Sequence, residues 1–469
     1  MDFIAREREL KALGELYDKP GFQMIVIYGR RRVGKSTLIR EFVKDKRAVY
    51  YTATKSGFAA NMAALGKTVL ETLSPGLSNL TFPGTDELLS YIGECCKTER
   101  LVMVIDEIPY LAEGDKGFLS VLQKHIDEEW QSTQMYLVVC GSSVSFMEDE
   151  VLSEKSPIYG RRTAQLKVEA FNYMDAAGFV PAYSEEDKAI CYGVTGGIAK
   201  YLSLFDDKFT LDDNIKKNFF SSAGYLYEEP SNLLSQEFRN VSTYNDIIAA
   251  IARGANKPND IADKAHLDVT TVQHALNNLI TTGIVEKHQA ITDEKNKKKV
   301  LYVLKDGMFR FWYRFIPDAA SLIEMGNGET YYDRVVKDKL SDYMGSVFED
   351  MCRYYMLYHG TDESFGCFIT EVGRWWGSDT VKKETTDIDV VGLDKLSKKA
   401  VLGECKFTNN LADKAVFEKL KERTGLIDKS YETAGYALFS KTGFSDWVIA
   451  NAEKERIKAI RLKDMYDLA

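Results

Sequence analysis

The sequence lacks an excess of basic charge and the cysteine or histidine patterns of a disulfide or zinc framework. Lys and Arg total 61 against 70 Asp and Glu, giving a net charge of −9. This balance excludes a globally basic nucleic-acid-binding surface, although it leaves room for a local basic patch. Seven cysteines, an odd number without a C-x-x-C pair, favour reduced thiols, and five scattered histidines give little support to a zinc site.

The sequence also lacks long apolar runs. The longest ones have the length of a strand and fall far short of the ~20 residues that cross a bilayer. The first ten residues are charged and carry no apolar signal-peptide core. We therefore expect a cytoplasmic protein without a membrane partner. The length of 469 residues is several times the ~100–200 of a typical domain, which predicts two to four domains.

The first third of the chain alternates apolar strands with segments of helix length. Strands are predicted at Gln23–Tyr28, Leu101–Ile105 and Tyr136–Cys140. A helix is predicted around Gly117–Trp130. Continuous apolar strands separated by helices indicate an α/β fold with a parallel sheet covered on both faces.

A glycine-rich turn follows the first strand and matches the pattern G-x-x-x-x-G-K-[ST] at every fixed position. Its glycines let the backbone curl so that N–H groups face a polyphosphate, and the following helix adds positive potential. Lys35 supplies a charge for the β- and γ-phosphates, and the Ser36 hydroxyl is the expected Mg²⁺ ligand. The residues predicted to bind ATP or ADP are Gly29, Arg30, Arg31, Arg32, Val33, Gly34, Lys35, Ser36 and Thr37.

Polar residues follow the next two predicted strands. Asp106 suits the Mg²⁺ shell, and the adjacent Glu107 suits orienting and polarising the attacking water. Ser142 follows the third strand and is either a contact of the γ-phosphate or water, or a turn residue. Arg161 and Arg162 follow a turn and either act on the γ-phosphate, in the same or a neighbouring subunit, or form structural ion pairs.

The middle of the chain contains two predominantly helical sections. Residues 169–232 are predicted to form a helical lid, and in residues 233–318 three short helices precede a hairpin, the order of a winged helix. The third helix offers no arginine, so a protein-binding winged helix is the alternative to a DNA-binding one. The predicted hairpin tip carries the lysines that would contact DNA phosphates, Lys295, Lys297, Lys298 and Lys299.

A separate α/β domain is predicted over residues 333–469. Its strand-like runs are Cys367–Thr370, Ile388–Leu393, Ala400–Cys405 and Gly435–Phe439. Asp389 lies on one strand, and Glu404 and Lys406 share a face of the next. Two carboxylates suit one or two divalent ions, and a lysine suits orienting or deprotonating water. Glu349, on a preceding helix, would complete the shell; ion-paired strand ends are the alternative.

Together the N-terminal motifs resemble the archaeal-type ATPase family, AAA+-like P-loop ATPases near the origin-recognition and STAND lineages. The motifs are FIAREREL, YGRRRVGKSTL, VIDEIPYL, CGSSVSFM and SPIYGRRT. The resemblance implies that Arg6 and Glu7 line the adenine pocket. It also puts Ala199 where the helical lid of the family often has proline, so the usual base contact of the lid is not implied here.

The C-terminal residues resemble the PD-(D/E)xK nuclease superfamily, in particular the domain that ends many archaeal-type ATPases. This resemblance implies that Glu349, Asp389 and Glu404 hold Mg²⁺ or Mn²⁺ and that Lys406 is catalytic. The whole chain is then predicted to be a DNA-associated ATPase, with a core over residues 1–168 followed by lid, winged helix and nuclease-like domain. The alternatives are a nucleotide-controlled signalling switch that binds proteins or itself, and an adaptor with an inactive nuclease-like domain.

Overall fold

The computed structural model describes residues 3–293, 300–379 and 382–467, and the chain divides into two compact units. One unit runs to Ala170 and also contains Ile198–Lys200. The other contains Phe171–Gly197 and the chain from Tyr201 onward. Within the described residues, no helix combines the length and the apolar character needed to cross a membrane.

The first unit alternates strands and helices. Its strands are β1 (Gln23–Tyr28), β2 (Ala48–Thr52), β3 (Leu101–Asp106), β4 (Met135–Gly141) and β5 (Ala164–Lys167). Its helices are α1 (Glu7–Tyr17), α2 (Lys35–Val43), α3 (Phe58–Leu73), α4 (Thr85–Glu94), α5 (Ile108–Gly114), α6 (Phe118–Glu128) and α7 (Val144–Phe146).

The five strands form a parallel sheet in the order β2–β3–β4–β1–β5. β1, β3 and β4 are buried along their whole length, because both of their faces carry packed side chains. On one face Tyr136 packs against Phe42 of α2, and on the other Leu137 and Val139 join the core that contains Leu122 of α6. Parallel strands place their carboxyl ends at one edge, so the residues that follow β1, β3 and β4 come together there.

The second unit begins with helices and ends with a mixed sheet. Its helices include α8 (Tyr173–Ala177), α9 (Glu185–Thr195), α11 (Leu211–Phe219), α12 (Glu229–Glu237), α13 (Val241–Ala252), α14 (Pro258–Ala265), α15 (Val269–Thr281), α16 (Gly307–Glu324), α17 (Gly328–Tyr331), α18 (Leu340–Tyr358), α19 (Asp362–Phe365), α20 (Lys414–Lys421) and α21 (Asp446–Asn451). α10 (Ala199–Leu202) crosses the division between the units.

Two sheets belong to this second unit. β6 (Val285–Gln289) and β7 (Val300–Leu304) form an antiparallel pair after α13, α14 and α15. The larger sheet has the order β12–β11–β10–β9–β8, with β9 antiparallel to both of its neighbours and β11 parallel to both of its neighbours. Its strands are β8 (Glu371–Asp379), β9 (Glu384–Asp394), β10 (Lys399–Lys406), β11 (Glu432–Ser440) and β12 (Ile457–Arg461).

The three strands predicted in the first third are confirmed, and so is the α/β class. One strand prediction is wrong: Cys367–Thr370 is not a strand, and β8 begins only at Glu371. Cys367 and Ile369 are nevertheless buried, which explains the apolar run. The N–H of Ile369 donates to Gly360 in the preceding loop at 2.9 Å rather than to a sheet partner.

Candidate active site

The phosphate loop connects β1 to α2 and depends on its two glycines. Gly29 has φ +147° and Gly34 has φ +96°, values that favour glycine. A Cβ on Gly29 would lie 2.2 Å from the carbonyl oxygen of Val168, just after β5, so no side chain fits there. Arg32 also has a positive φ, +71°. The loop is therefore the curled turn that the motif predicts.

Lys35 is the first residue of α2 and its side chain is buried. Its Nζ donates to the carbonyl oxygens of Gly29 at 2.8 Å and of Arg30 at 3.0 Å. Burial lowers the pKa of Lys35 below the usual lysine range. The ammonium group thus lies inside the loop, where two backbone carbonyls hold it. A phosphate can replace them as a stronger acceptor.

Ser36 and Asp106 meet across α2 and β3. Ser36 Oγ donates to Asp106 Oδ2 at 2.9 Å, and the hydroxyl of Tyr50 donates to the same oxygen at 2.7 Å. The other oxygen of Asp106, Oδ1, accepts from the N–H of Glu107 at 3.1 Å. The structure therefore brings the two predicted Mg²⁺ ligands together, and Tyr50 joins them although the sequence did not single it out.

Glu107 and Ser142 also lie close together, at the ends of β3 and β4. Glu107 has φ +57° and precedes α5, and its Oε2 accepts from the N–H of Ser142 at 3.1 Å. Ser142 is buried, yet its Oγ has no hydrogen-bond partner among the described residues. A buried hydroxyl without a partner is costly in a native fold and is often completed by a ligand or water.

Two segments that flank the loop donate hydrogen bonds to backbone carbonyls in or near it. Arg6 donates to the carbonyls of Val33 at 3.4 Å and Glu169 at 2.5 Å, while Glu7 begins α1 and is exposed. On the other side, the N–H of Lys200 donates to the carbonyl of Arg32 at 3.1 Å. Arg6 therefore ties the N-terminal segment to the loop; the predicted adenine contact stays a prediction.

The two arginines after the turn have other partners in the first unit. Arg161 forms a two-fold ion pair with Asp127 of α6, with nitrogen–oxygen distances of 2.8 and 3.1 Å. Arg162 donates to the carbonyl of Leu152 at 3.2 Å and lies over the ring of Tyr159. These contacts favour the structural alternative for Arg161, and a role on phosphate stays a prediction for both.

The predicted nuclease residues lie on adjacent strands of the larger sheet. Asp389 is on β9, and Glu404 and Lys406 are on β10, which pairs with β9 in the register Gly403–Val390. Asp389 Oδ2 accepts from the N–H of Cys405 at 3.0 Å, and Lys406 Nζ donates to Glu404 Oε1 at 2.7 Å. The strand arrangement thus brings these three side chains to one place.

Three arginines that lie outside the sequence motifs occupy this cluster. Arg423 donates to Glu404 Oε2 at 2.7 Å and is buried. Arg353 donates to the carbonyl of Asp389 at 2.8 Å and to Glu349 at 3.4 Å, and Arg374 lies 3.9 Å from Glu349. Arg353 lies on α18, Arg374 lies on β8 and Arg423 follows α20. Each is an isolated arginine in the sequence, and none belongs to a motif that indicates an active site.

The surroundings of the cluster shift the pKa of one carboxyl group strongly. Burial, together with the charges of Glu404 and Glu349, raises the pKa of Asp389 to about 7. Burial also raises the pKa of Glu349, against the opposing effect of the nearby arginines. Among the residues described, no group of three or more His, Cys, Asp and Glu has an arrangement that could hold a metal ion. Arginines and a lysine bind the carboxylates of Glu349 and Glu404, whereas the carboxylate of Asp389 accepts from the N–H of Cys405. The role of these three carboxylates as a metal shell stays a prediction.

Lys295, Lys297, Lys298 and Lys299, the predicted DNA-contacting lysines, lie outside the described residues. Their role stays a prediction.

Comparisons with known proteins agree with this architecture. Residues 3–205 match a family described as an ATPase domain predominantly from Archaea, and residues 312–421 match a family of archaeal and bacterial proteins of unknown function. The uncharacterised protein MJECL04 of Methanocaldococcus jannaschii is 29% identical over 447 residues, which cover 94% of this chain and 97% of the relative.

Two solved structures are also similar. The Walker-type ATPase PABY2304 of Pyrococcus abyssi is 20% identical with a TM-score of 0.50, covering 67% of this chain and 96% of its own. The ORC2 protein of Aeropyrum pernix, solved as ADPNP–ADP complexes, is 14% identical with a TM-score of 0.46, covering 69% of this chain and 97% of its own. The similarity to the Walker-type ATPase of Pyrococcus abyssi supports the fold described above.

The parallel sheet, the glycine loop and the family match together define a P-loop ATPase. Within that class, residues 3–205 match the family of ATPase domains found predominantly in Archaea.

Proposed function

We propose that this ATPase binds ATP with Mg²⁺ at the phosphate loop and hydrolyses it by in-line attack of water on the γ-phosphate. The observation that carries the proposal is the convergence of the loop with the carboxyl ends of β3 and β4, where Ser36 bonds Asp106 and Glu107 bonds Ser142. Loop, strand ends and helix start supply the donors, acceptors and charge that phosphoryl transfer requires.

The residues present fit a magnesium ion. Ser36 Oγ and Asp106 Oδ2 lie 2.9 Å apart, and both are hard oxygen donors of the kind that Mg²⁺ prefers. When bound with the nucleotide, the ion neutralises charge on the β- and γ-phosphates. Ser36 and Asp106 would hold it between them.

The protein groups have separate roles in the reaction. Lys35 leaves the loop carbonyls to bind the β- and γ-phosphates, and the loop N–H groups bind the same oxygens. Glu107 accepts a hydrogen bond from the attacking water and orients it. The unsatisfied Ser142 hydroxyl is available to the γ-phosphate or to that water. We expect hydrolysis to release this last contact, which is how the site distinguishes ATP from ADP.

Isothermal titration calorimetry with ATP and ADP tests the nucleotide site. We expect binding by the full chain and its loss in Lys35→Ala, because Lys35 is buried in the loop. The exposed Lys44, at the other end of α2, gives the matched control Lys44→Ala, which should bind as the parent does. Equal binding by all three proteins, or no heat with the parent, would contradict the proposal.

We further propose that the C-terminal sheet is a metal-dependent nuclease domain that acts on DNA. Asp389 and the Glu404–Lys406 segment lie side by side on neighbouring strands, joined by the bond from the Cys405 N–H to Asp389. The raised pKa of Asp389 supports the proposal, because a carboxyl crowded by burial and by other carboxylates gains from a bound cation. Lys406 would orient or deprotonate the attacking water.

Incubation of plasmid DNA with Mg²⁺ or Mn²⁺, with and without ATP, tests this second proposal. We expect cleavage that Lys406→Ala abolishes and that Lys399→Ala, a change at the opposite end of β10, leaves intact. Absence of cleavage by the parent under every condition would falsify the nuclease assignment. The same preparations must retain ATPase activity, so that a failure of folding is recognised.

One observation favours a second candidate, an adaptor whose nuclease-like domain is inactive. Both oxygens of Glu404 already accept from cations, Lys406 at 2.7 Å and the buried Arg423 at 2.7 Å. Such a carboxylate needs no metal for neutralisation. DNA or protein binding that persists in EDTA, together with no cleavage, would support this candidate. If ATP turnover were also near zero and ADP were tightly retained, the protein would behave as a nucleotide-controlled signalling switch.

A further inference from the structure

Tyr50 lies on β2, beside the strand that ends in Asp106. Its hydroxyl donates to Asp106 Oδ2 at 2.7 Å, and Ser36 Oγ donates to the same oxygen at 2.9 Å. The N–H of Glu107 donates to the other oxygen at 3.1 Å. Donors from β2, α2 and the end of β3 thus fix both oxygens of one carboxylate.

The ring of Tyr50 is itself held in place. The guanidinium of Arg40 lies 4.5 Å from the ring centroid, and Arg40 follows Ser36 by one turn of α2. Helix α2 therefore contacts the ring of Tyr50 through one residue and the carboxylate of Asp106 through another.

We propose that Tyr50 is a positioning residue for Mg²⁺ in the ATPase site. The inference rests on the proposed Mg²⁺ role of Ser36 and Asp106. A carboxylate with fewer donors rotates about its χ2 bond and presents its oxygens in several directions. The Tyr50 hydroxyl favours the one rotamer in which Asp106 Oδ2 faces Ser36 Oγ. These two oxygens are therefore already oriented for Mg²⁺ before it binds. Groups that orient metal ligands in this way typically change metal affinity by about 10–100-fold.

The experiment compares Tyr50→Phe with Tyr51→Phe in the full chain. Tyr51 is the next residue on β2, and its hydroxyl donates to Asn61 at 2.8 Å on the opposite face of the sheet. Each variant loses one hydroxyl and one hydrogen bond but keeps its ring. Binding of a non-hydrolysable ATP analogue is measured by calorimetry, first in EDTA and then over a series of Mg²⁺ concentrations.

We expect Tyr50→Phe to match the parent in EDTA but to need about 10-fold more Mg²⁺ to reach its full gain in affinity. ATP turnover should shift to the same higher Mg²⁺ range and recover at saturating Mg²⁺. Tyr51→Phe should keep the Mg²⁺ midpoint of the parent, whatever it loses in melting temperature.

Three results would overturn the inference: an unchanged Mg²⁺ midpoint in Tyr50→Phe, an equal shift in Tyr51→Phe, or a loss of binding by Tyr50→Phe that is already complete in EDTA. The last would show a structural role only. If the parent itself gains no affinity from Mg²⁺, the proposed Mg²⁺ role of Ser36 and Asp106 fails instead, so the two failures are distinguishable.

Discussion

Glu107 Oε2 accepts a 3.1 Å hydrogen bond from the N–H of Ser142, which joins the carboxyl ends of two neighbouring strands. The bond has a consequence for both residues. It fixes the glutamate carboxylate beside a buried hydroxyl that has no partner of its own among the described residues. An acceptor and an unsatisfied donor are therefore placed next to each other at the sheet edge where the phosphate loop begins.

We predict that Glu107→Gln separates nucleotide binding from hydrolysis. Glutamine keeps an oxygen that accepts from Ser142, so the geometry survives, but it cannot polarise the attacking water as a carboxylate does. Hydrolysis should fall by about 100-fold or more, within the range typical of positioned acid–base groups. Phosphate release and ADP calorimetry measure the two properties. Glu113→Gln, an exposed change on α5, is the control, and equal hydrolysis rates in the two variants would contradict the assignment.

Gly29→Ala should abolish nucleotide binding, because its Cβ would lie 2.2 Å from the carbonyl oxygen of Val168 and its φ is +147°. The loop must move to accommodate it. Gly14→Ala is the matched control: Gly14 lies inside α1 with nothing within 4 Å of an added Cβ. That change should stabilise the fold by about 1 kcal/mol. Calorimetric titration with ADP and thermal unfolding check both variants, and unimpaired ADP binding by Gly29→Ala would refute the loop geometry.

Stability should depend on pH through Asp389. Burial raises the pKa of Asp389 to about 7 in the folded chain. A carboxyl with a higher pKa in the folded state binds protons there preferentially, so its contribution to stability falls as pH rises from about 4 to about 7. Asp389→Asn should therefore melt above the parent at pH 8 and close to it at pH 5. Calorimetric melting between these limits is the measurement.

The control for this pH dependence is Glu384→Gln, which removes an exposed carboxylate at the start of the same strand. It should follow the parent at every pH. A constant difference between Asp389→Asn and the parent across the range would show that the raised pKa contributes nothing to stability.

Arg423→Met should destabilise the C-terminal domain by about 2–3 kcal/mol, somewhat below the usual cost of breaking a buried ion pair, because Lys406 still pairs with Glu404. Arg461→Met breaks a pair with Asp464 at the surface and should cost clearly less, because water screens exposed ion pairs. Urea unfolding of both variants compares the two costs. Similar small losses in the two would mean that the Glu404–Arg423 pair contributes as little as a surface pair.

The buried strands and the phosphate loop could be predicted because both leave strong local signals. β1, β3 and β4 are apolar along their whole length, and the loop has fixed residues at fixed spacing. β2 and β5 were missed because their side chains are only partly buried and include polar residues. Tyr50 was missed for the same reason, since it lies on β2 and has no motif of its own.

The C-terminal cluster shows the other limit of prediction from sequence. Glu404 and Lys406 are predicted to share a face of one strand because side chains alternate between the two faces, and Asp389 joins them if the preceding strand is a neighbour. The spacing contains no information about Arg423, which reaches Glu404 from beyond α20. Nor does it reveal that Arg353 donates to the backbone of Asp389. Hydrogen-bond partners that are brought close by tertiary packing leave no pattern in the local sequence.

The shared oxygen of Asp106 has an implication for how such sites diverge. Since the hydroxyls at positions 36 and 50 both depend on this atom, the three positions are expected to covary among descendants of a common ancestor. A homologue without the hydroxyl at position 50 is expected to supply another hydrogen-bond donor to the acid at 106. The presence or absence of that donor would then separate homologues with an intact site from those that have lost it.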